Sequence, residues 1–367
     1  TGASAGGPLG GSTLFLDFLA IGRADQDPRT KGLTCLPVDF PCPASRTIIP
    51  HQRGDRYYAF GRFDAPLGSA LRTSVSVSRN RDQHELYSTR FKYALRDYLA
   101  ERETATLGTV QLDGTFASGG ARASRFTVRL SVGRLDRYLG VPDTSQTGRL
   151  GRFLLGDLRF RGEDAARSAA ADQVLSGRPL PGYRAPSDSG LGSPYGIFGS
   201  DLFVTDGTSA VADWNRSDFA NLRVDVQAVA SPRLDVKVGG DAKLYRIDAY
   251  QHSAAGLAGA APNYVRFFPR TAAGWLHGTL YALESATIDL GVRVEGFQPQ
   301  LTASRDRADL TAPVATSGWQ VLLHPRIGFA MPLDVIGLER AAVRWNFGRF
   351  SQPPDFQFFF DQTLDDS

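Results

Sequence analysis

The chain of 367 residues balances 41 Lys and Arg against 38 Asp and Glu, a formal net charge of +3, and so lacks the basic excess of a nucleic-acid surface. Its hydrophobic share of 42% and mean hydropathy of -0.21 come with no run of about 18 apolar residues, which excludes a helical membrane protein. With 39 glycines, 21 prolines and an aromatic share of 11%, the composition suits many strands joined by turns and predicts an all-β protein.

Residues Thr1 to Gly11 lack the basic and apolar regions of a secretory leader, so the chain is expected to begin internally or after processing. The string Gly2-x-Ser4-x-Gly6 lacks the strand and helix that create a nucleophile elbow, and reads as chance in glycine-rich sequence. Both cysteines, Cys35 and Cys42, lie in a Pro-rich part of the long polar segment 22–54. They are candidates for a small loop disulfide; the competing reading is a metal site, of which two thiols without a nearby histidine supply half.

From there the governing signal is strict alternation, which assigns one residue type to each face of a strand. Tyr58 and Phe60 lead across a turn at 66–69 to Leu71, Val75 and Val77, which face away from Arg72, Ser74 and Ser76. Val110, Leu112 and Phe116 alternate with Gln111, Asp113 and Thr115. Beyond a Gly-rich turn, Phe126, Val128, Leu130 and Val132 alternate with Arg125, Thr127, Arg129 and Ser131. Further on, Leu222, Val224 and Val226 oppose Arg223, Asp225 and Gln227. The clearest strand follows the turn Ser231-Pro232: Leu234, Val236, Val238, Ala242 and Leu244 oppose Asp235, Lys237, Asp241 and Lys243. Ile288, Leu290, Val292 and Val294 repeat the pattern against Thr287, Asp289, Arg293 and Glu295.

These strands approach the 9 to 11 residues or so that a tilted membrane-crossing strand needs, longer than the soluble mode of about 5 to 6. A charged face suits a wet lumen and an aliphatic face suits lipid; in a soluble sandwich the same faces would be solvent and core, and alternation alone leaves both open. Connections weigh toward the membrane. Tight turns at 66–69, 118–121, 231–232, 283–285 and 332–338 alternate with long polar segments at 22–54, 80–103, 140–218, 251–271 and 298–317. Short turns on one side and long loops on the other are the connectivity of outer-membrane barrels.

The expected fold is an antiparallel transmembrane β-barrel, partial, across 1–367, with 140–218 as a long extracellular loop region. That region is too long to be structureless, and a strand at 152–160 and an alanine-rich helix at 163–175 are expected within it. Arg129, Arg223, Lys237 and Arg293 are expected to face the lumen. On this assignment Val236→Arg on the lipid face should cost roughly 2 to 4 kcal/mol and Asp235→Arg little.

No catalytic residue, cofactor or metal ligand set is expected. His51, His84, His252, His277 and His324 are scattered, no phosphate loop or dinucleotide fingerprint occurs, and Asp361, Asp365 and Asp366 lack calcium-loop spacing. Tyr250, Phe267, Phe268, Trp275, Phe297, Trp319 and Trp345 fall near predicted strand ends, where an interfacial girdle or ordinary packing would use them. The aromatic run at 356–360 reads as interfacial or as part of an extracellular substrate-contacting loop, with packing as the default.

From about Asp213 onward the order of features resembles the middle barrel region of TonB-dependent receptors, particularly members that carry an N-terminal carboxypeptidase-regulatory-like domain. The hairpin Asn221 to Tyr250, with Val238-Gly239-Gly240-Asp241-Ala242-Lys243-Leu244-Tyr245-Arg246, carries the first part. Phe268-Pro269-Arg270 and Leu290-Gly291-Val292-Arg293-Val294-Glu295-Gly296-Phe297 carry the second. Pro325-Arg326-Ile327-Gly328 followed by Asn346-Phe347-Gly348-Arg349-Phe350-Ser351-Gln352-Pro353 carries the third.

The resemblance implies an outer-membrane active importer of a scarce nutrient, whose plug is moved by the inner-membrane TonB complex. The barrel would sit in outer-membrane lipid and perform no covalent chemistry. Neither a plug nor a closing aromatic strand is found, and the ten to twelve or so strands legible here fall short of the 22 of a plugged transporter, so a fragment is expected. The alternatives are a passive porin-like channel, which shares every barrel feature, and a soluble secreted β-protein such as an adhesin or carbohydrate-binding module. The substrate, whether small molecule, glycan or peptide, leaves no signature in the strands.

Overall fold

In the computed structural model the described residues are 1–23, 54–91, 94–119, 122–143, 158–172, 178–186, 204, 207–259, 262–282, 286–300, 302–304, 314–332 and 341–351. Cys35, Cys42, the turn 283–285 and the aromatic run 356–360 lie outside them.

The strands follow one another as β1 (Gly2–Leu9), β2 (Ser12–Arg23), β3 (Gly54–Pro66), β4 (Leu71–Glu85), β5 (Ala100–Gly119) and β6 (Arg122–Gly140). Helix α1 (Glu163–Asp172) intervenes before β7 (Ala212–Ser231), β8 (Leu234–His252), β9 (Asn263–Phe267), β10 (Arg270–Tyr281) and β11 (Thr287–Gln298). A detached hairpin of β12 (Thr302–Ser304) and β13 (Val314–Thr316) precedes β14 (Gln320–Pro332) and β15 (Ala342–Gly348). Every pairing is antiparallel, and the sheet of 13 strands runs essentially in sequence order from β1 to β15 as an unclosed meander. β8 offers one edge to two partners, β10 along residues 234–244 and β9 along 247–251.

Tight turns join β1 to β2 and β3 to β4, where Gly10 (φ 64°) and Gly68 (φ 91°) adopt the left-handed conformation that only glycine enters freely. Between β7 and β8 the register shifts at Val229/Ser231, a bulge beside the two-residue turn. All the short connections lie along one edge of the sheet and the long ones along the other.

The strands are longer than their alternation suggests. β5 and β7 each span 20 residues and β6 and β8 each 19. About half of each exceeds what a bilayer crossing needs. The connections expected at 80–103 and 140–218 therefore shrink to 86–99 and 141–211, because their ends continue the sheet. β1 and β2 carry no alternating signal: β1 is built mainly of small residues, and β2 presents Leu14, Leu16 and Phe18 on one face and Phe15, Leu19 and Ile21 on the other.

One face is more enclosed than the other, and we call it inner. On it Asp64, Ser74, Ser131, Asp235 and His324 are buried, whereas outer-face Val238, Leu244, Leu276 and Leu290 are 48 to 57% exposed. Apolar side chains that large left open in a continuous band mark a surface that meets something other than water.

Toward the long-connection edge the outer face changes character. Tyr138, Trp214 and Tyr250 share it with Leu130, Leu222 and Ala242, since the register of β6, β7 and β8 is unbroken between them. All three are buried in a compact cluster with Leu158, Phe160, Ala166, Leu180 and Tyr183. Helix α1 thus packs on the outer face of the strand extensions. Arg102 reaches the Leu158 carbonyl at 2.6 Å and pairs with Glu163, and Arg167 holds Asp136 through two hydrogen bonds of 2.8 and 3.0 Å. The helix expected at 163–175 is found over Glu163–Asp172; of the strand expected at 152–160 the described residues show a single bridge, Pro142 to Phe160.

Candidate functional site

The inner face near the short-turn edge carries a dense set of charged side chains. Directly opposed pairs run Gln111 to Arg129, Arg129 to Arg223 and Arg223 to Asp241 across four strands. Opposing two arginines is unfavourable unless each has its own acceptor. Arg223 forks onto Asp225 at 2.7 and 3.1 Å, and Arg129 donates to Gln111 at 2.9 Å. Gln111 in turn donates to Asp113 at 2.7 Å, which also accepts from the Thr127 hydroxyl at 2.7 Å. These side chains border an open concavity of about 850 Å³ that reaches the β3–β4 turn.

The second half of the network centres on Trp275. Its ring lies under two guanidinium groups, Arg223 at 5.0 Å and Arg293 at 4.9 Å from the ring. Each such contact contributes about 0.5 to 2 kcal/mol depending on exposure. Arg293 also pairs with Glu295 and reaches Asp241 at 3.4 Å. Trp275 lies flat because its cross-strand partner is Gly239; a Cβ there would sit 2.6 Å from the indole and 2.6 Å from the Val224 carbonyl. Gly133 makes the same room for Phe219 one strand pair away.

The structure therefore places Arg129, Arg223, Lys237 and Arg293 on one face, and brings two of them, Arg223 and Arg293, together at Trp275 and Asp241. Lys237 lies one row nearer the turn, opposite His277, and makes no ion pair among the described residues. Sequence reading set Trp275 among the aromatics of a girdle or core; it belongs to the charged face instead. Its parity with His277 and Thr279, against Leu276 and Leu280, was the available signal. Trp345, by contrast, is on the outer face and 53% exposed. Asp235 also needs correction: it is buried and accepts a hydrogen bond from the Tyr281 hydroxyl at 3.1 Å, so Asp235→Arg would bury a misplaced charge rather than cost little.

Further up the inner face the polarity changes. Phe60, Leu107, Phe219 and Tyr245 occupy one row and Tyr58, Leu135, Ile247 and Phe267 the next. A rim of charge follows, where Arg56 pairs with Asp82 and Arg137 with Glu101 at 2.5 Å. Behind it burial raises the Asp213 carboxyl, and burial followed by the nearby Asp213 pushes the Tyr250 phenol up to about 12. On the outer side burial would raise Asp136, but the hydrogen bond and charge of Arg167 and the Trp214 N–H outweigh it and hold the carboxyl below its usual value of 3.8. Asp248 is likewise held low, burial being outweighed by hydrogen bonds from Arg266 and Tyr264. Among the described residues no group of His, Cys, Asp and Glu is arranged to hold a metal ion.

No protein-family model and no curated protein matches the sequence. Solved structures share its fold. The copper transporter OprC is similar over 95% of this chain and 42% of its own, with a TM-score of 0.53 and 8% identity. The P. aeruginosa FpvA, solved bound to heterologous pyoverdines, matches 90% of this chain and 38% of its own, with a TM-score of 0.51 and 11% identity. The outer membrane transporter YddB from Escherichia coli matches 98% and 39%, with a TM-score of 0.51 and 8% identity. The chain thus spans about two fifths of the length of the structures it matches. Over most of its length it is similar in structure to TonB-dependent outer-membrane transporter barrels, as a partial, unclosed sheet of the same kind.

Proposed function

We propose that this chain is wall and loop of an outer-membrane barrel that imports a scarce nutrient with energy supplied by the TonB complex through a plug lying outside these residues. The observation that carries the reading is the combination of an outer aliphatic band, an inner charged face and connections that are short on one edge and long on the other, within a sheet superposable on outer-membrane transporters over 90 to 98% of its length. The aliphatic band meets lipid and the inner face meets the transport path.

In this reading Arg129, Arg223, Lys237 and Arg293 line the lumen, and the connection 141–211 is the principal extracellular loop region that sets specificity. Trp275, pressed between two arginines, gives the wall a rigid aromatic surface beside fixed charge, suited to a solute with both polar and apolar parts. The carboxypeptidase-regulatory-like subtype belongs to the proposal through the motifs in β8, β11, β14 and β15.

Planar-bilayer recording on the full-length protein separates the importer from its rival. A plugged importer passes no steady ion current until the plug is loosened with denaturant, while a porin-like channel conducts at once. Steady conductance in the untreated protein would overturn the importer reading, and recovery of all the protein without detergent would overturn the barrel itself.

A further inference from the structure

We propose that the far edge of β9 is the docking edge for β12, so that the wall above Arg270 alternates between an open slot and a closed sheet. The inference goes beyond the importer reading, since it concerns how the wall itself is completed along its long-connection edge.

Register shows where the wall is interrupted. Carried upward from Arg270 opposite Leu244, the β8–β10 pairing brings Phe267 opposite Ile247, where β9 is found, so β9 and β10 are one strand to β8. The Tyr245 N–H, bonded to the Pro269 carbonyl at 3.0 Å, bridges the two parts. On the other side β11 pairs with β10 as far as Gln298 opposite Arg270 and no further. The same register continued would set Thr302 opposite Arg266, Ala303 opposite Val265 and Ser304 opposite Tyr264, which are residues of β12 and β9. β12 instead pairs with β13 in a separate sheet.

The departure has a local cause in the backbone. Gln300, between β11 and β12, has φ 57° and is the one residue other than glycine with a positive φ among the described residues. That conformation is costly for a residue with a Cβ, and it turns the chain out of the sheet just beyond the last pair. The register shifts at the same place. Continued from Phe297 opposite Gln320, the β11–β14 pairing would set Thr302 opposite Ala315, but Thr302 meets Thr316. The β11 side therefore carries one extra residue, as at a bulge. Strained backbone of this kind clusters at switch regions.

β9 is a ready acceptor. Because Pro269 bonds toward β8, the alternation of an antiparallel ladder turns the N–H and C=O of Tyr264 and Arg266 away from it. No strand pairs with that edge among the described residues, and an unpaired edge is a template for another strand. The edge is also held still, since the Tyr264 hydroxyl donates to Asp248 at 2.7 Å and Arg266 pairs with the same carboxylate. β12 is the segment that the chain's own continuity brings there in register. Docked, its Thr302 and Ser304 complete hydrogen-bonded pairs with Arg266 and Tyr264. Undocked, it leaves a slot beside Phe267, a side entrance to the inner-face row that also holds Leu135 and Ile247.

The test uses the full-length protein in membranes, carrying Cys35→Ser and Cys42→Ser, with mild oxidation and mass spectrometry of the disulfide formed. Val265→Cys with Ala303→Cys sits at a directly opposed, non-hydrogen-bonded pair of the docked state, where Cα atoms lie about 4.5 Å apart, within disulfide reach. It should cross-link at least about tenfold faster than Val265→Cys with Thr302→Cys, one residue out of register. Gln300→Val, whose branched side chain disfavours positive φ, should speed the cross-link about fivefold, and Gln300→Gly should slow it by a similar factor. Equal rates for the two cysteine pairs, no disulfide in the opposed pair, or indifference to both Gln300 substitutions overturns the docking edge while leaving the barrel intact. Recovery of the unoxidised protein without detergent overturns the barrel reading instead.

Discussion

The lower and upper halves of β5 to β8 are the same strands in the same register, yet their faces exchange character. Near the short turns the outer face is Val128, Leu130, Leu222 and Val238 and the inner face is Arg129, Arg223 and Asp241. Eight residues or so further along, the outer face carries Arg134, Asp136, Arg216 and Asp248, while the inner carries Leu107, Leu135, Phe219 and Ile247. Alternation tells which residues share a face; it does not tell what medium that face meets. The medium is set by what lies against it, and in the upper half that is α1 and its aromatic cluster.

The comparison breaks most severely where α1 is anchored. Trp214→Ala removes a buried aromatic from the outer cluster and should cost about 3 kcal/mol of local stability, seen as faster proteolysis at α1 with the lower sheet unaffected. Uniform loss across the sheet would mean that the two halves are not separable. Val238→Arg, in the lower outer band, should cost roughly 2 to 4 kcal/mol in urea unfolding of the full-length protein in vesicles, whereas Thr106→Arg, on the outer face of the upper half, should cost under about 1 kcal/mol. Comparable penalties would show that the outer face meets one medium throughout.

A pH titration sharpens the contrast. Asp136 has its carboxyl pKa depressed by folding, so its contribution is fully present above the unfolded value near 3.8 and is lost as pH falls through the lower folded value. Docking of α1 should weaken as pH falls through that acid window, and Asp136→Asn should remove the pH dependence. Hydrogen exchange in Glu163–Asp172 reads it. Gly239→Ala probes the charged inner face directly. The added methyl meets the Trp275 ring and the Val224 carbonyl and should cost about 1 to 2 kcal/mol, with a shift in indole emission as Trp275 leaves its place between Arg223 and Arg293.

How much of this was legible follows the same division. In the lower half the period of two is clean, so β3 to β8 and β11 are visible in the sequence, and so is the face that gathers Arg129, Arg223, Lys237 and Arg293. Above the boundary both faces contain charges. Arg81 and Asp82 in β4, Arg102 and Glu103 in β5, or Asp213 and Arg216 in β7 therefore look like loop, and these strand ends disappear into the expected connections. β2 is hidden for the opposite reason, being apolar on both faces, and β1 because small residues give no contrast. Trp275 was misplaced because an aromatic was read by its type and not by its parity. The partnership of α1 with the outer face depends on contacts between Arg167 and Asp136, 31 residues apart, which no local period encodes.

The height of the wall has a consequence for any solute that approaches along the inner face. From the rim, where Arg56 meets Asp82 and Arg137 meets Glu101, to Arg129 is eight residues along β6, a descent of roughly 25 Å. Salt at physiological strength extinguishes electric fields within about 8 Å. Charge at Arg129 is therefore screened from the rim, and the inner face between them is largely aromatic and aliphatic, with Asp17 beside Phe60 and with Arg62 and Lys243 in the row below. On the proposed importer reading, a solute meets the charges of the rim before it can sense those of Arg129 and Arg223.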